Sequence, residues 1–131
     1  MIVWLLAQLA AAQGTCAQPY PLDSLLDDIG EVESGLASGD DAIAGEAATR
    51  MRTRVVCLEV AVPAVMGPRV LRAIGAGLLV RQHVEALGWL EAAAAADPEH
   101  RYTLETLTQT HPLFAAWNRV LDRVDLTEPG L

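Results

Sequence analysis

The chain has 131 residues and a formal net charge of -8; hydrophobic side chains make up 52% of it and aromatic ones 5%. This length suits one domain and excludes a large multidomain enzyme. Acids outnumber bases 17 to 9, every base is arginine, and such a balance excludes a protein that tracks nucleic-acid phosphates.

Residues 1–14 open with MIVWLLAQLAAA, which carries no charge and one polar side chain. The apolar run Ile2 to Ala12 is too short to cross a hydrocarbon core of roughly 30 Å as a helix. It fits the apolar region of a secretory signal peptide, followed by small residues that suit cleavage, although no Lys or Arg precedes it. A buried N-terminal helix or a membrane anchor is the alternative. The expectation is an exported protein, periplasmic or secreted, with no stable membrane span. Lipidation of Cys16 is less favoured, because Gln13 and Thr15 match a lipoprotein signal poorly.

Thr15 to Pro21 reads as an extended lead-in. Leu22, Leu25, Leu26, Ile29, Val32 and Leu36 then recur at steps of three and four, predicting an amphipathic helix. Asp23 or Ser24 suits its start, and Gly35, Ser38 and Gly39 suit its end. Asp40 and Asp41 begin a second helix, in which Ile43, Ala47, Met51 and Val55 form an i, i+4 stripe with Ala44 and Ala48 beside it. Val55 to Val62 is β-branched, yet a lone strand has no partner, so it reads as a helix end and an extended connector into Pro63.

A short loop makes the two helices antiparallel, which brings Cys16 and Cys57 to one end. In an oxidising compartment these two cysteines allow one pairing, Cys16 with Cys57. The closed loop of about 41 residues then contributes roughly 4 kcal/mol.

Pro63 or Pro68 opens a third helix carrying Val65, Val70, Leu71, Ile74, Leu78 and Leu79. Gly75 and Gly77 weaken it but permit close approach by a neighbouring helix. A turn at Arg81 to His83 leads to a fourth helix from about Val84 to Ala96, with Leu87, Leu90 and Ala94 inward and Asp97-Pro98 as its stop. Tyr102 to Thr108 suits a short helix. Thr110 and Pro112 then start a last one bearing Leu113, Ala116, Trp117, Val120, Leu121 and Val124. Residues 125–131 read as a flexible tail. The fold class expected for residues 15–124 is therefore all-α, with five or six helices in stacked antiparallel hairpins.

Within that pattern Ala86, Leu90, Ala93 and Pro98 resemble the second helix of a tetratricopeptide repeat. Small alanines let helices approach, a bulky residue fills the gap, and proline ends the unit. The preceding helix matches poorly: Ala73, Ile74 and Gly77 stand where Leu, Gly and Tyr are typical. Gly39-Asp40 resembles the inter-helix turn. The resemblance covers about 32 residues well and implies a helical-hairpin interaction module. The family's carboxylate clamp is not visible, because Leu71 and Gly75 stand where its polar side chains would project.

Residues that carry chemistry are sparse. His83, His100 and His111 share no i, i+4 spacing and read as turn, post-helix and capping residues, so no metal ligand set is expected. The acids Asp23, Asp27 and Glu31 fall on one helix face that reads as solvated, and the arginines from Arg50 to Arg81 can stitch to it or face an acidic partner. Ser24, Ser34 and Ser38 have no histidine in their segment. Trp89 and Trp117 read as core, with Trp89 alternatively a partner anchor. The functional expectation is an exported scaffold or accessory protein that binds another protein or peptide, without catalysis or cofactor. The alternative is a small-ligand carrier or an enzyme with a site between helices.

Overall fold

A computed structural model describes residues 16–103, 107 and 111–127. The expected leader, the cap at Thr110 and the end of the tail lie outside the described residues. Among those described, five α-helices pack against one another: α1 (Leu22–Ser38), α2 (Asp41–Arg54), α3 (Gly67–Val80), α4 (Ala86–Ala96) and α5 (Pro112–Thr127). The protein is all-α.

The cap position of α1 falls two to three residues before its candidate caps. Pro21 precedes the helix, the Leu25 N–H donates to the Pro21 carbonyl, and Asp23 lies in the first turn, where negative charge is favoured. Its buried stripe is Leu25, Ile29, Val32 and Leu36, whereas Leu26 turns outward. The helix runs through Gly35 and stops at Gly39, whose φ of 78° closes a paired cap: Asp40 donates to Gly35 O at 2.7 Å and Gly39 to Leu36 O at 3.3 Å. Asp40 then caps α2 by accepting from the Ile43 N–H at 3.2 Å.

Helix α2 keeps Ala47 and Met51 of the expected stripe inward but is turned toward the flanking alanines. Ala44, Ala47, Ala48 and Met51 are fully buried, but Ile43 is 45% exposed. The reason is steric. Gly35 lies against the Ala44 backbone, and Gly77 lies against Ala44 and Ala48, so only the small-residue face fits between α1 and α3. Val55–Cys57 continues as a 3-10 turn, and Leu58 does find a partner: it forms an isolated parallel bridge with Tyr20. Tyr20 donates to Cys57 O at 2.7 Å and receives from Glu59 N at 3.1 Å. The expectation of an unpaired connector thus gives way to one residue pair of sheet.

Ala64–Met66 forms a second 3-10 turn before α3, leaving Val65 89% exposed rather than in the core. Pro68 occupies the first turn of α3. The turn at its end places Gln82 at φ 58°, with His83 N–H on Leu78 O at 2.9 Å. Helix α4 begins at Ala86, two residues later than expected, because the His83 ring Nδ1 takes the Glu85 N–H and holds the turn open. Tyr102 and Thr103 are not helical, so the expected short helix does not start there; its other residues, apart from Leu107 in a bend, lie outside the described residues. His111 Nδ1 accepts from Leu113 N at 3.1 Å and starts α5, which continues to Thr127, past the expected boundary at 124.

Each helix packs on its successor. In addition α1 meets α3, and α3 meets α5. The contacts give the directions. Gly35 on Ala44, Asp28 on Arg50 and Tyr20 on Cys57 run in opposite order along α1 and α2, so the pair is antiparallel. Gly75 on Leu90 and Arg72 on Asp97 show the same for α3 and α4.

Candidate functional site

Cys16 and Cys57 sit at disulfide-bonding distance with Cα atoms 6.0 Å apart, beside the Tyr20–Leu58 bridge. A Cys16 sulfur bound to Cys57 has no free thiol to carry a lipid thioether. Ala86, Leu90 and Ala93 are buried under α3, and a Cβ on Gly75 would lie 2.8 Å from the Leu90 side chain. Pro98 is exposed just past the helix end. Trp117 is buried, whereas Trp89 is half-buried and donates its indole N–H to Glu85.

The acidic face of α1 is not wholly solvated. Asp28 is buried: it accepts from the Tyr20 hydroxyl and, at 3.1 and 2.9 Å, from the Arg50 guanidinium, which also reaches Glu31. Burial and this carboxylate push the Tyr20 phenol far above its ordinary range. Arg54 lies over the Tyr20 ring, 4.6 Å from its centroid. Arg52 grips Glu85 and holds that carboxyl down to about 2, while Arg69 grips Glu33 at 3.0 and 2.7 Å. Most of the arginine cluster is therefore spent on carboxylates of the chain itself.

One concave site stands out. A cavity of about 350 Å³ opens between α1, α3 and the connector that follows α4. Because α1 and α3 lie side by side, Val32 and Leu36 of the first and Ala73 and Ala76 of the second form one apolar floor. Leu107 of the connector completes it and is itself buried. The polar rim is Glu33, Arg72, His100, Arg101, Tyr102 and Thr103.

The rim is held by an aromatic cluster. His100, Tyr102 and Trp117 meet edge to face, with ring centroids 4.8 to 5.7 Å apart, and the Trp117 indole N–H donates to His100 O at 2.9 Å. This cluster pins the irregular run 100–103 onto α5. Burial, aided by the Arg72 charge, lowers the His100 pKa, and its Nε2 is buried with no hydrogen-bond partner among the described residues. Burial likewise raises the Tyr102 phenol. Such desolvated titratable groups beside a largely apolar pocket mark a candidate binding site.

Nothing in the spacing of the sequence points to this cavity. Its rim joins Glu33 of α1 and Arg72 of α3 to the irregular run 100–103, and its floor comes mainly from helices about 40 residues apart in the chain. Among the described residues no group of three or more His, Cys, Asp or Glu side chains is placed to hold a metal ion, and no helix is long and apolar enough to cross a membrane. Comparison with known protein families, curated proteins and solved structures finds no match. The chain's own geometry is therefore the basis for reading its function.

Proposed function

We propose that this chain is an exported helical scaffold, built of stacked hairpins of the tetratricopeptide type, that binds a segment of another protein on the face shared by α1, α3 and the connector after α4. The observation that carries this reading is the packing order. Each helix packs on the next, and alternate helices α1, α3 and α5 also touch. Repeat modules stack in this way, and it puts the first helices of successive hairpins side by side as a recognition surface. The Ala86, Leu90, Ala93 and Pro98 pattern supports the same reading. The cysteine pair at bonding distance supports an oxidising compartment.

A photo-crosslinking side chain at Arg101, on the rim, tests the surface, with Glu46 on α2 as the control. The expected result is one stoichiometric crosslinked protein from position 101 and none from position 46. Equal labelling from both positions, or none from either, overturns the proposal. Intact mass of the same sample, with and without thiol alkylation, reports leader removal and the disulfide together.

The cavity favours a second reading, a small-ligand carrier, because about 350 Å³ falls at the low end of ligand-sized pockets. Native mass spectrometry of protein purified from its own host decides between them: a single retained small molecule favours the carrier.

A further inference from the structure

We infer that the segment received by this face is acidic, and that it places a side-chain carboxylate on Arg72 and a neighbouring apolar side chain in the cavity. This rests on the scaffold reading above and names the chemistry of its partner.

A guanidinium is always charged and carries five N–H donors in a plane. Arg72 has a side-chain exposure of 15%, the lowest of the ion-paired arginines; Arg52 follows at 32% and Arg50 at 41%. Burial of a charge demands hydrogen bonds in proportion. Arg50 makes three side-chain hydrogen bonds, and Arg52 and Arg69 make two each. Arg72, the most buried, makes one to a described residue, from Nη1 to Asp97 at 3.1 Å. Its remaining donors belong to a side chain that lines the cavity. A carboxylate is the acceptor that matches a guanidinium fork.

The surroundings agree. Glu33, the acid on the rim, is already gripped by two bonds from Arg69. Arg101 is fixed by the carbonyls of Pro98 and His100 at 2.7 and 2.8 Å and pairs with no carboxylate among the described residues. The rim thus presents two cations with donors to spare. Beneath them the floor of Val32, Leu36, Ala73, Ala76 and Leu107 is apolar. The irregular run 100–103 lines this face beside α1 and α3. A segment of a partner laid along it meets the charge and the apolar floor together.

The test is selection of random twelve-residue peptides, displayed with their carboxyl termini attached to the carrier so that only side-chain carboxylates can answer, against the disulfide-bonded chain. The expected enriched sequences carry Asp or Glu within two positions of a bulky apolar residue. Fluorescence anisotropy of an enriched peptide then reads the contact. Arg72→Gln weakens binding by at least about tenfold, the size of a lost charged hydrogen bond. Replacement of the peptide's acid by its amide does the same on the unaltered protein, which covers the case in which Arg72→Gln fails to fold. Enriched peptides without acids, or binding indifferent to both changes, overturn this inference and leave the scaffold reading standing. Failure to enrich any peptide overturns both.

Discussion

At the scale of single residues, glycines divide sharply by what surrounds them. A Cβ on Gly77 would come within 2.2 Å of Ala48 Cβ and 2.6 Å of Ala44 O, both on a rigid helix. Gly77→Ala is therefore expected to cost about 2–3 kcal/mol in urea denaturation. Gly30 lies within α1 with nothing inside 4 Å of its Cβ position. There Gly30→Ala is expected to stabilise by about 0.5–1 kcal/mol, since only the helix propensity changes. His100 gives the other expectation at this scale. Its folded pKa lies below the ordinary value near 6.5, so the unfolded chain takes up a proton that the native state resists. Stability is full above pH 6.5 and falls as the pH drops below it. His100→Phe keeps a ring against Tyr102 and Trp117 and removes this component. Comparison of unfolding free energies at pH 7.5 and 5.5 checks it; the difference stays well below the one-proton ceiling of about 1.4 kcal/mol per pH unit, because the ring is partly solvated.

At the scale of elements, the start of the described chain is tied to the end of α2 by three unlike interactions. These are the Cys16–Cys57 pair, the Tyr20–Leu58 bridge and the Tyr20–Asp28–Arg50 network. Asp28→Ala leaves a buried hydroxyl and a guanidinium without their shared acceptor, and is expected to cost about 2–4 kcal/mol. Asp28→Asn retains one acceptor oxygen and should lose less, by the same denaturation measurement. Reduction of the disulfide opens a loop with a sequence separation of 41 residues and is expected to lower stability by about 4 kcal/mol while the helices persist. Urea midpoints with and without reductant, read by far-ultraviolet dichroism, check this.

For the whole molecule, the charged residues connect elements that the apolar core also connects. Arg52 joins α2 to the start of α4 through Glu85, Arg69 joins α3 to α1 through Glu33, and Arg123 joins α5 to α4 through Glu91. Exposed pairs of this kind add little free energy each. The short helices are marginal alone and gain their stability by packing on neighbours. Unfolding is accordingly expected to be a single transition. The Trp117 environment, followed by fluorescence in a chain with Trp4 and Trp89 replaced by Phe, and helix content, followed by dichroism, should share one midpoint. Separate midpoints would show that the hairpins fold independently.

The sequence by itself determined the helices, their approximate bounds and the pairing of the two cysteines in space. Those follow from local rules: apolar residues spaced for one face, Gly39 as a left-handed stop, Asp40 as a cap, and a short loop that turns one helix back along another. The stripe on α2 was legible through Ala47 and Met51, but only the tertiary structure decided that Ala44 and Ala48 are buried beside them and Ile43 is not, because Gly35 and Gly77 bring α1 and α3 close to the alanine side. It also decided that Asp28 is buried and that Arg72 lines a cavity. Both depend on partners outside their own helix: Tyr20 and Arg50 for one, α1 and the 100–103 connector for the other. A periodic pattern marks which side of a helix avoids water. It carries no information on which distant charge will be desolvated beside it, and that desolvation is what makes the candidate site.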